Sequence, residues 1–264
     1  MISLPLPDFY PRDPGERFKH VEIEVNSICD LDCFGCDRFS DVTTAPNMTV
    51  AQVARFVDES LELDWEWERI RILGGEPTLH PQLHEIAAEI ARYTARFPKV
   101  FLQVLSNGRG KWAREKDWLT RAGWNVHVEG PKTKGITPDW FTNTRIVPVD
   151  RNPKVGILPP CGIFAIRGCG IGLTRHGYFL DGAGASIARV AGYDIGVMSL
   201  KDVTWNAMLG QATILCRVCG HWNPPDGRVV QKVSETGRIM GKFWSEVLHA
   251  YHTKKPQLSL YGGE

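Results

Sequence analysis

Apolar and polar positions follow two periods along this chain, and the periods take turns. HVEIEVNSI (20–28) sets Val21, Ile23 and Val25 between polar residues, the period-two pattern of a strand, and runs directly into Cys29. From Val50 the period lengthens. Val50, Val53, Phe56, Val57 and Leu61 recur at helical spacing, with Thr49 in the capping position. RIRIL (69–73) returns to a strand pattern and stops at Gly74-Gly75. Leu83, Ile86, Ile90 and Tyr93 mark a helix that starts at Pro81 and reaches Phe97. A third strand is expected over 99–108, a helix ended by Gly123 over 111–121, and a fourth strand over 124–130. A fifth, over 143–150, is weakened by Pro148.

Strands and helices alternating at this spacing predict βαβ units and a parallel sheet. Five strands in the first 150 residues are too few to close an eight-stranded barrel, so the expected fold is α/β, an open or partial (β/α) barrel. In such sheets functional residues gather at the C-terminal ends of the strands. Cys29, Gly74-Gly75-Glu76, Ser106-Asn107 and Glu129 all fall there.

After Asp150 the pattern changes. Residues 151–172 are rich in Gly and Pro, and 173–196 reads as a hairpin followed by a Gly-rich turn region. A short helix over 205–215 leads into Cys216, and 234–251 reads as a terminal helix with Ile239, Phe243, Val247, Leu248 and Tyr251 on one side. The chain therefore divides into an irregular segment (1–18), a core (19–152) and a small cysteine-rich domain with a C-terminal helix (153–264).

Composition narrows the function. The charges nearly cancel, 31 Lys+Arg against 30 Asp+Glu, which argues against a broad nucleic-acid or anionic-membrane surface. A hydrophobic content of 43% excludes wholesale disorder. No run of about 18 apolar residues and no signal-peptide pattern is present. Seven cysteines, an odd number in two clusters, fit metal or redox chemistry better than a disulfide framework, and lead to the expectation of a cytoplasmic metalloprotein.

Cys29, Cys33 and Cys36 form a CxxxCxxC loop directly after a predicted strand. Three thiolates on one loop wrap one corner of an iron–sulfur cluster and leave one iron open to a small molecule. The alternative is a zinc loop completed by a distant histidine such as His20 or His80. Gly74-Gly75-Glu76-Pro77 follows the next strand: its glycines allow close backbone approach, and its glutamate can accept from an ammonium group.

Cysteine loop and GGEP together resemble the radical S-adenosylmethionine (SAM) enzymes, over about residues 19–150. The resemblance implies that Cys29, Cys33 and Cys36 bind a [4Fe–4S] cluster whose open iron is chelated by SAM. It implies that Glu76, with the backbone around Gly74 and Gly75, holds the methionyl amino group. Further SAM contacts are expected from Phe34, Gly35, Ser106, Asn107, Glu129 and Val147. The implied chemistry is reductive cleavage of SAM to a 5′-deoxyadenosyl radical that removes a hydrogen atom from a substrate carbon. A low-potential donor such as flavodoxin or ferredoxin is the implied electron partner.

Cys161, Cys169, Cys216 and Cys219 supply four more thiolates, the count for a second [4Fe–4S] cluster or a zinc ion. This region resembles the auxiliary-cluster (twitch/SPASM-like) domain behind some radical SAM cores. Asp181 stands in the hairpin where that family often places a cysteine, and is the alternative ligand. The overall plan is architecturally similar to the aminocyclitol dehydrogenase of butirosin biosynthesis, which oxidises a secondary alcohol. An oxidoreductase acting on a small polyhydroxylated metabolite is therefore expected, with Arg151 as the candidate catalytic residue. Arg167, His176 and Tyr178 are further candidates to anchor a hydroxyl, Arg175 and His176 beside the hairpin are alternatively a lining of the cluster domain, and His127 is a residue that can face the barrel interior. Peptide or protein modification, epimerisation or dehydration, and a non-catalytic metal-stabilised binding protein are the other readings.

Overall fold

The computed structural model describes residues 15–31, 36–109, 111–128, 150, 170–220 and 241–263. Strand β1 (His20–Glu24) is shorter than its apolar pattern suggests, because residues 25–29 leave the regular ladder. Helix α1 (Val50–Glu62) begins at a reciprocal cap. Thr49 Oγ1 accepts from the Gln52 N–H at 3.1 Å, and the Thr49 N–H donates to Gln52 Oε1 at 3.0 Å. Then follow β2 (Arg69–Leu73), a single 3₁₀ turn (Pro77–Leu79), α2 (Leu83–Thr94), β3 (Phe101–Ser106), α3 (Trp112–Arg121) and β4 (Asn125–Val128). Helix α2 starts two residues later than Pro81. Gly123 follows α3 at φ +86°, a backbone angle that glycine adopts without a Cβ clash.

The second half adds β5 (Ile171–Thr174), β6 (Gly177–Phe179), α4 (Gly182–Ala191), α5 (Trp205–Leu215) and α6 (Lys242–Thr253). The sheet runs β4-β3-β2-β1-β5-β6 and is open. β1 to β5 are parallel, and β6 returns antiparallel to β5. The sheet thus continues across the expected division at 152/153, since Ile171 pairs with Val21 and Leu173 with Ile23. Of the expected fifth strand only Asp150 is described. Its carboxylate accepts from the Phe243 N–H at 3.0 Å and so caps the terminal helix from a distance of 93 residues.

One face of the sheet is apolar. Val21, Ile23, Ile70, Ile72, Leu102 and Val104 form a core with Val53, Phe56 and Val57 of α1 and Ile86, Ile90 and Tyr93 of α2. Trp65 and Trp67 close the helix–strand junction, donating from their indole nitrogens to Phe18 O (2.7 Å) and Ser60 Oγ (3.0 Å). The other face is polar, with Glu22 buried and Arg71 and Gln103 half-buried. Glu22 lies opposite Arg71, which lies opposite Gln103. Arg71 donates to Glu22 Oε1 at 2.6 Å and to Gln103 Oε1 at 2.7 Å.

Two expectations are corrected here. The Gly-rich stretch after the hairpin is a helix, α4, rather than a turn region. Asp181 caps it through the Gly184 N–H, its small side chains allow close packing on β5 and β6, and Gly192 ends it at φ +77°. The terminal helix buries Trp244, Leu248 and Tyr251, while Phe243 is exposed, so its core stripe is turned by about one residue. Residues 234–240 of that expected helix lie outside the described residues.

Candidate active site

The exit of β1 and the exit of β2 run side by side. The Gly75 N–H donates to Asn26 O (2.9 Å), the Glu76 N–H to Ile28 O (2.7 Å), and Asn26 Nδ2 to Glu76 O (2.9 Å). Only glycine fits here. A Cβ on Gly74 would lie 2.4 Å from Asn26 O, and one on Gly75 2.3 Å from Ile28 O. The glycine pair therefore straps the GGEP turn to the segment that delivers Cys29.

Glu76 is fully buried, and its carboxylate ties three segments together. Oε1 accepts from the Thr78 N–H (3.1 Å), Thr78 Oγ1 (2.7 Å) and Ser106 Oγ (2.9 Å), and Oε2 accepts from the Asn107 N–H (2.7 Å). Oε2 keeps capacity for one more donor. Asn107 continues the chain of bonds: its Nδ2 donates to Asp30 Oδ1 at 2.7 Å and to Cys29 Sγ at 3.7 Å. Cysteine loop, GGEP turn and Ser106-Asn107 are thus one hydrogen-bonded assembly at the C-terminal rim of β1, β2 and β3.

Cys29 and Cys36 are free, half-buried thiols. Burial raises Cys29 above the usual thiol range, and burial with Asp41 and Asp37 nearby pushes Cys36 up to about 12. Such thiols are protonated near neutral pH until a metal displaces the proton, which is how soft metal centres bind thiolates. Two soft donors on one rim loop, with Cys33 between them in sequence, fit an iron–sulfur cluster. His80 does not complete a zinc site instead. It is buried, its Nδ1 accepts from the Gln82 N–H (3.0 Å), and its Nε2 lies 3.0 Å from Met48 O. His20 sits at the opposite end of β1 from Cys29.

Three residues that the sequence pattern did not single out complete the surroundings. Asn26 and Thr78 secure the strap. Arg38, two residues after Cys36, reaches into the polar face to Glu22 Oε2 (3.1 Å) and Glu24 Oε2 (3.8 Å). Gly182 leaves space for it, as a Cβ there would meet the Arg38 guanidinium, and Arg189 donates to Arg38 O at 2.7 Å. The signal was in β1: glutamates at the polar positions of a strand buried on both faces need cationic partners.

Other candidates take structural positions. Tyr178 is buried, 3.2 Å from the Tyr261 hydroxyl, and Tyr261 donates to Glu59 Oε2 at 2.8 Å. The His176 ring is 3.0 Å from Ser259 O, so both residues hold the C-terminal tail rather than facing the rim. His127 is exposed on β4 rather than buried. Arg175 O accepts from the Tyr261 N–H at 2.9 Å. Cys216 is buried and Cys219 half-buried after α5. The first turn of α4 packs against that helix end, for a Cβ on Gly184 would lie 3.1 Å from both Asp181 Oδ1 and Leu215 Cδ1. Cys33, Phe34, Gly35, Glu129, Val147, Arg151, Cys161, Arg167 and Cys169 lie outside the described residues.

Residues 23–128 match the family model described as the Radical SAM superfamily. No curated protein matches the sequence. Among solved structures, BtrN in complex with AdoMet and 2-DOIA is similar at 16% identity and a TM-score of 0.50, over 78% of this chain and 89% of that one. That likeness is one of fold. SuiB of Streptococcus suis bound to S-adenosylmethionine is similar at 18% identity and a TM-score of 0.29, over 35% of this chain. The matched region spans 20% of SuiB's length.

Proposed function

We propose that this chain, which carries a radical SAM domain over residues 23–128, is an oxidoreductase acting on a small polyhydroxylated metabolite such as a sugar, cyclitol or nucleoside-like compound. The observation that carries the reading is the single assembly at the rim, in which Cys29, Glu76, Ser106 and Asn107 are joined by hydrogen bonds. In this reading Cys29, Cys33 and Cys36 hold a [4Fe–4S] cluster, and Glu76 Oε2 with the Gly74-Gly75 backbone receives the SAM amino group. With cluster and SAM bound, the site supplies a 5′-deoxyadenosyl radical that removes a substrate hydrogen atom.

The chain's own residues supply position. The Gly74-Gly75 strap holds the cysteine loop against β2, and Glu76 fixes the exits of β2 and β3 in register with it. Preorganisation of this kind limits wasted motion around a reactive species. The polar face formed by Glu22, Arg71 and Gln103 offers acceptors and donors suited to a hydroxyl-rich substrate. Support for the oxidative outcome is the likeness in fold to BtrN, a radical SAM dehydrogenase, and the late cysteines. Cys161, Cys169, Cys216 and Cys219, with Asp181 as the alternative ligand, would hold a second [4Fe–4S] cluster that accepts the substrate electron. A flavodoxin- or ferredoxin-like protein is the proposed reductant.

The test is an anaerobic iron, sulfide and zinc count on the wild type and on a Cys29/Cys33/Cys36→Ala triple variant, followed by product analysis with candidate alcohols. About eight irons falling to about four, with 5′-deoxyadenosine formed in step with a ketone, supports the reading. One retained zinc in place of four irons removes the second-cluster acceptor. No SAM cleavage by the reduced, iron-loaded protein overturns the enzymatic reading.

A further inference from the structure

We infer that Asn107 is a positioning residue that tunes the iron–sulfur site: its side-chain N–H donates to the sulfur of Cys29 and raises the reduction potential of the cluster Cys29 would ligate. The inference rests on the reading of Cys29 as a cluster ligand. It gives Asn107 a role distinct from contact with SAM.

The geometry fixes the amide on every side. The Asn107 N–H is held by Glu76 Oε2 at 2.7 Å. Its Oδ1 accepts from the Arg109 N–H at 2.8 Å, and its Nδ2 donates to Asp30 Oδ1 at 2.7 Å. These partners settle which end is which, because a backbone N–H requires the oxygen and a carboxylate requires the nitrogen. Nδ2 therefore faces Cys29 Sγ as a donor, at 3.7 Å. Asn107 is only 7% exposed, so water does not compete freely for that position.

Reduction places extra negative charge on a cluster and its thiolate sulfurs. A fixed N–H donor stabilises the reduced form more than the oxidised form and so raises the potential, as hydrogen bonds to cluster sulfurs do generally. The donor's other bonds hold it in place in both oxidation states, so little reorganisation accompanies the electron.

The experiment is a redox titration, followed by electron paramagnetic resonance, of the anaerobically reconstituted full chain with SAM added. The cluster whose signal changes on SAM addition is the one read. Asn107→Leu, similar in size but without a donor, is expected to keep the wild-type iron content. At a fixed ambient potential its reduced-to-oxidised ratio is expected to fall about tenfold, equivalent to about 59 mV for a one-electron couple. The same fall between Asp30→Asn and the Asp30→Asn/Asn107→Leu double variant assigns it to the N–H···S bond and not to a released carboxylate. An unchanged ratio at full iron content overturns the inference. Loss of iron in both Asn107→Leu and Asn107→Ala makes Asn107 a scaffold residue and also overturns it. A wild type with no SAM-responsive cluster instead overturns the ligand assignment of Cys29, and this inference falls with it.

Discussion

The Glu76 carboxylate and the backbone of Asn107 meet at 2.7 Å, fully inside the protein, across 31 residues of sequence. That bond joins the turn after β2 to the turn after β3. The side chain of Asn107 then extends the connection to Cys29. The carboxylate proposed to receive the SAM amino group is thus also a structural tie.

Glu76→Gln is the direct probe. A carboxamide cannot accept at both ends, so its NH₂ faces either the donors of Thr78 and Ser106 or that of Asn107. At least one buried donor is left unsatisfied, the Asn107 N–H when the NH₂ takes the Oε2 position, and the charge that strengthened the others is lost. The expected cost is about 1.5–3 kcal/mol of stability, read as a lower midpoint in denaturant at unchanged slope. Stability equal to wild type would mean that the four bonds do not act as a tie.

Gly75→Ala places a methyl group 2.3 Å from Ile28 O, a backbone atom that cannot move without carrying Cys29 with it. The expected result is loss of most of the iron bound at the first cysteine group, measured by iron count after anaerobic reconstitution. Gly210→Ala is the control. A Cβ there meets nothing within 4 Å, on a helix interior where alanine is favoured by about 0.5–1 kcal/mol, so iron content stays level and stability rises slightly.

Gly182→Ala tests how Arg38 is seated on the polar face of the sheet. Its methyl group occupies the position of the Arg38 guanidinium and forces that side chain off Glu22 and Glu24. A cost of about 1–3 kcal/mol is expected from overpacking and disturbed ion pairing. In an Arg38→Ala background the same methyl group has room, so the cost of Gly182→Ala should largely vanish; a full cost there would show that Arg38 is not the obstacle.

Asp181 makes stability depend on pH. Burial raises its carboxyl to about 6, against the opposing pull of the Gly184 N–H and Arg38. Between about pH 4 and pH 6 the folded chain keeps a proton that the unfolded chain has lost, so this group's contribution to stability falls as pH rises. Asp181→Asn keeps a capping oxygen and lacks the titration. Denaturant unfolding at pH 4.5 and pH 7 should show the variant gaining on the wild type by about 2 kcal/mol at the higher pH. A gap that does not widen would place the carboxyl near its ordinary value.

Much of this architecture is legible from short-range signals. Thr49 and Gln52 announce the start of α1, Gly123 the end of α3, and β2 and α5 fall at their expected residues because each pattern is complete within its own segment. The cysteine spacing and GGEP could be read together because each is contiguous in the chain. Helix α4 was not legible, because Gly and Ala carry no periodic apolar signal. Its stability comes from burial of nearly every residue against the hairpin before it and the terminal helix about 50 residues on.

What the sequence alone determined, then, is the α/β class and the chemistry gathered at the strand ends. Tertiary structure alone decided who partners whom. The placement of β5 beside β1, the Ser106 and Asn107 donors on Glu76, and Arg38 between Glu22 and Glu24 all join positions well apart in the chain. Ser186 reaches Glu24 across 162 residues. A buried polar atom must find a partner, but its residue type states only that requirement, and the closing of distant segments supplies the answer.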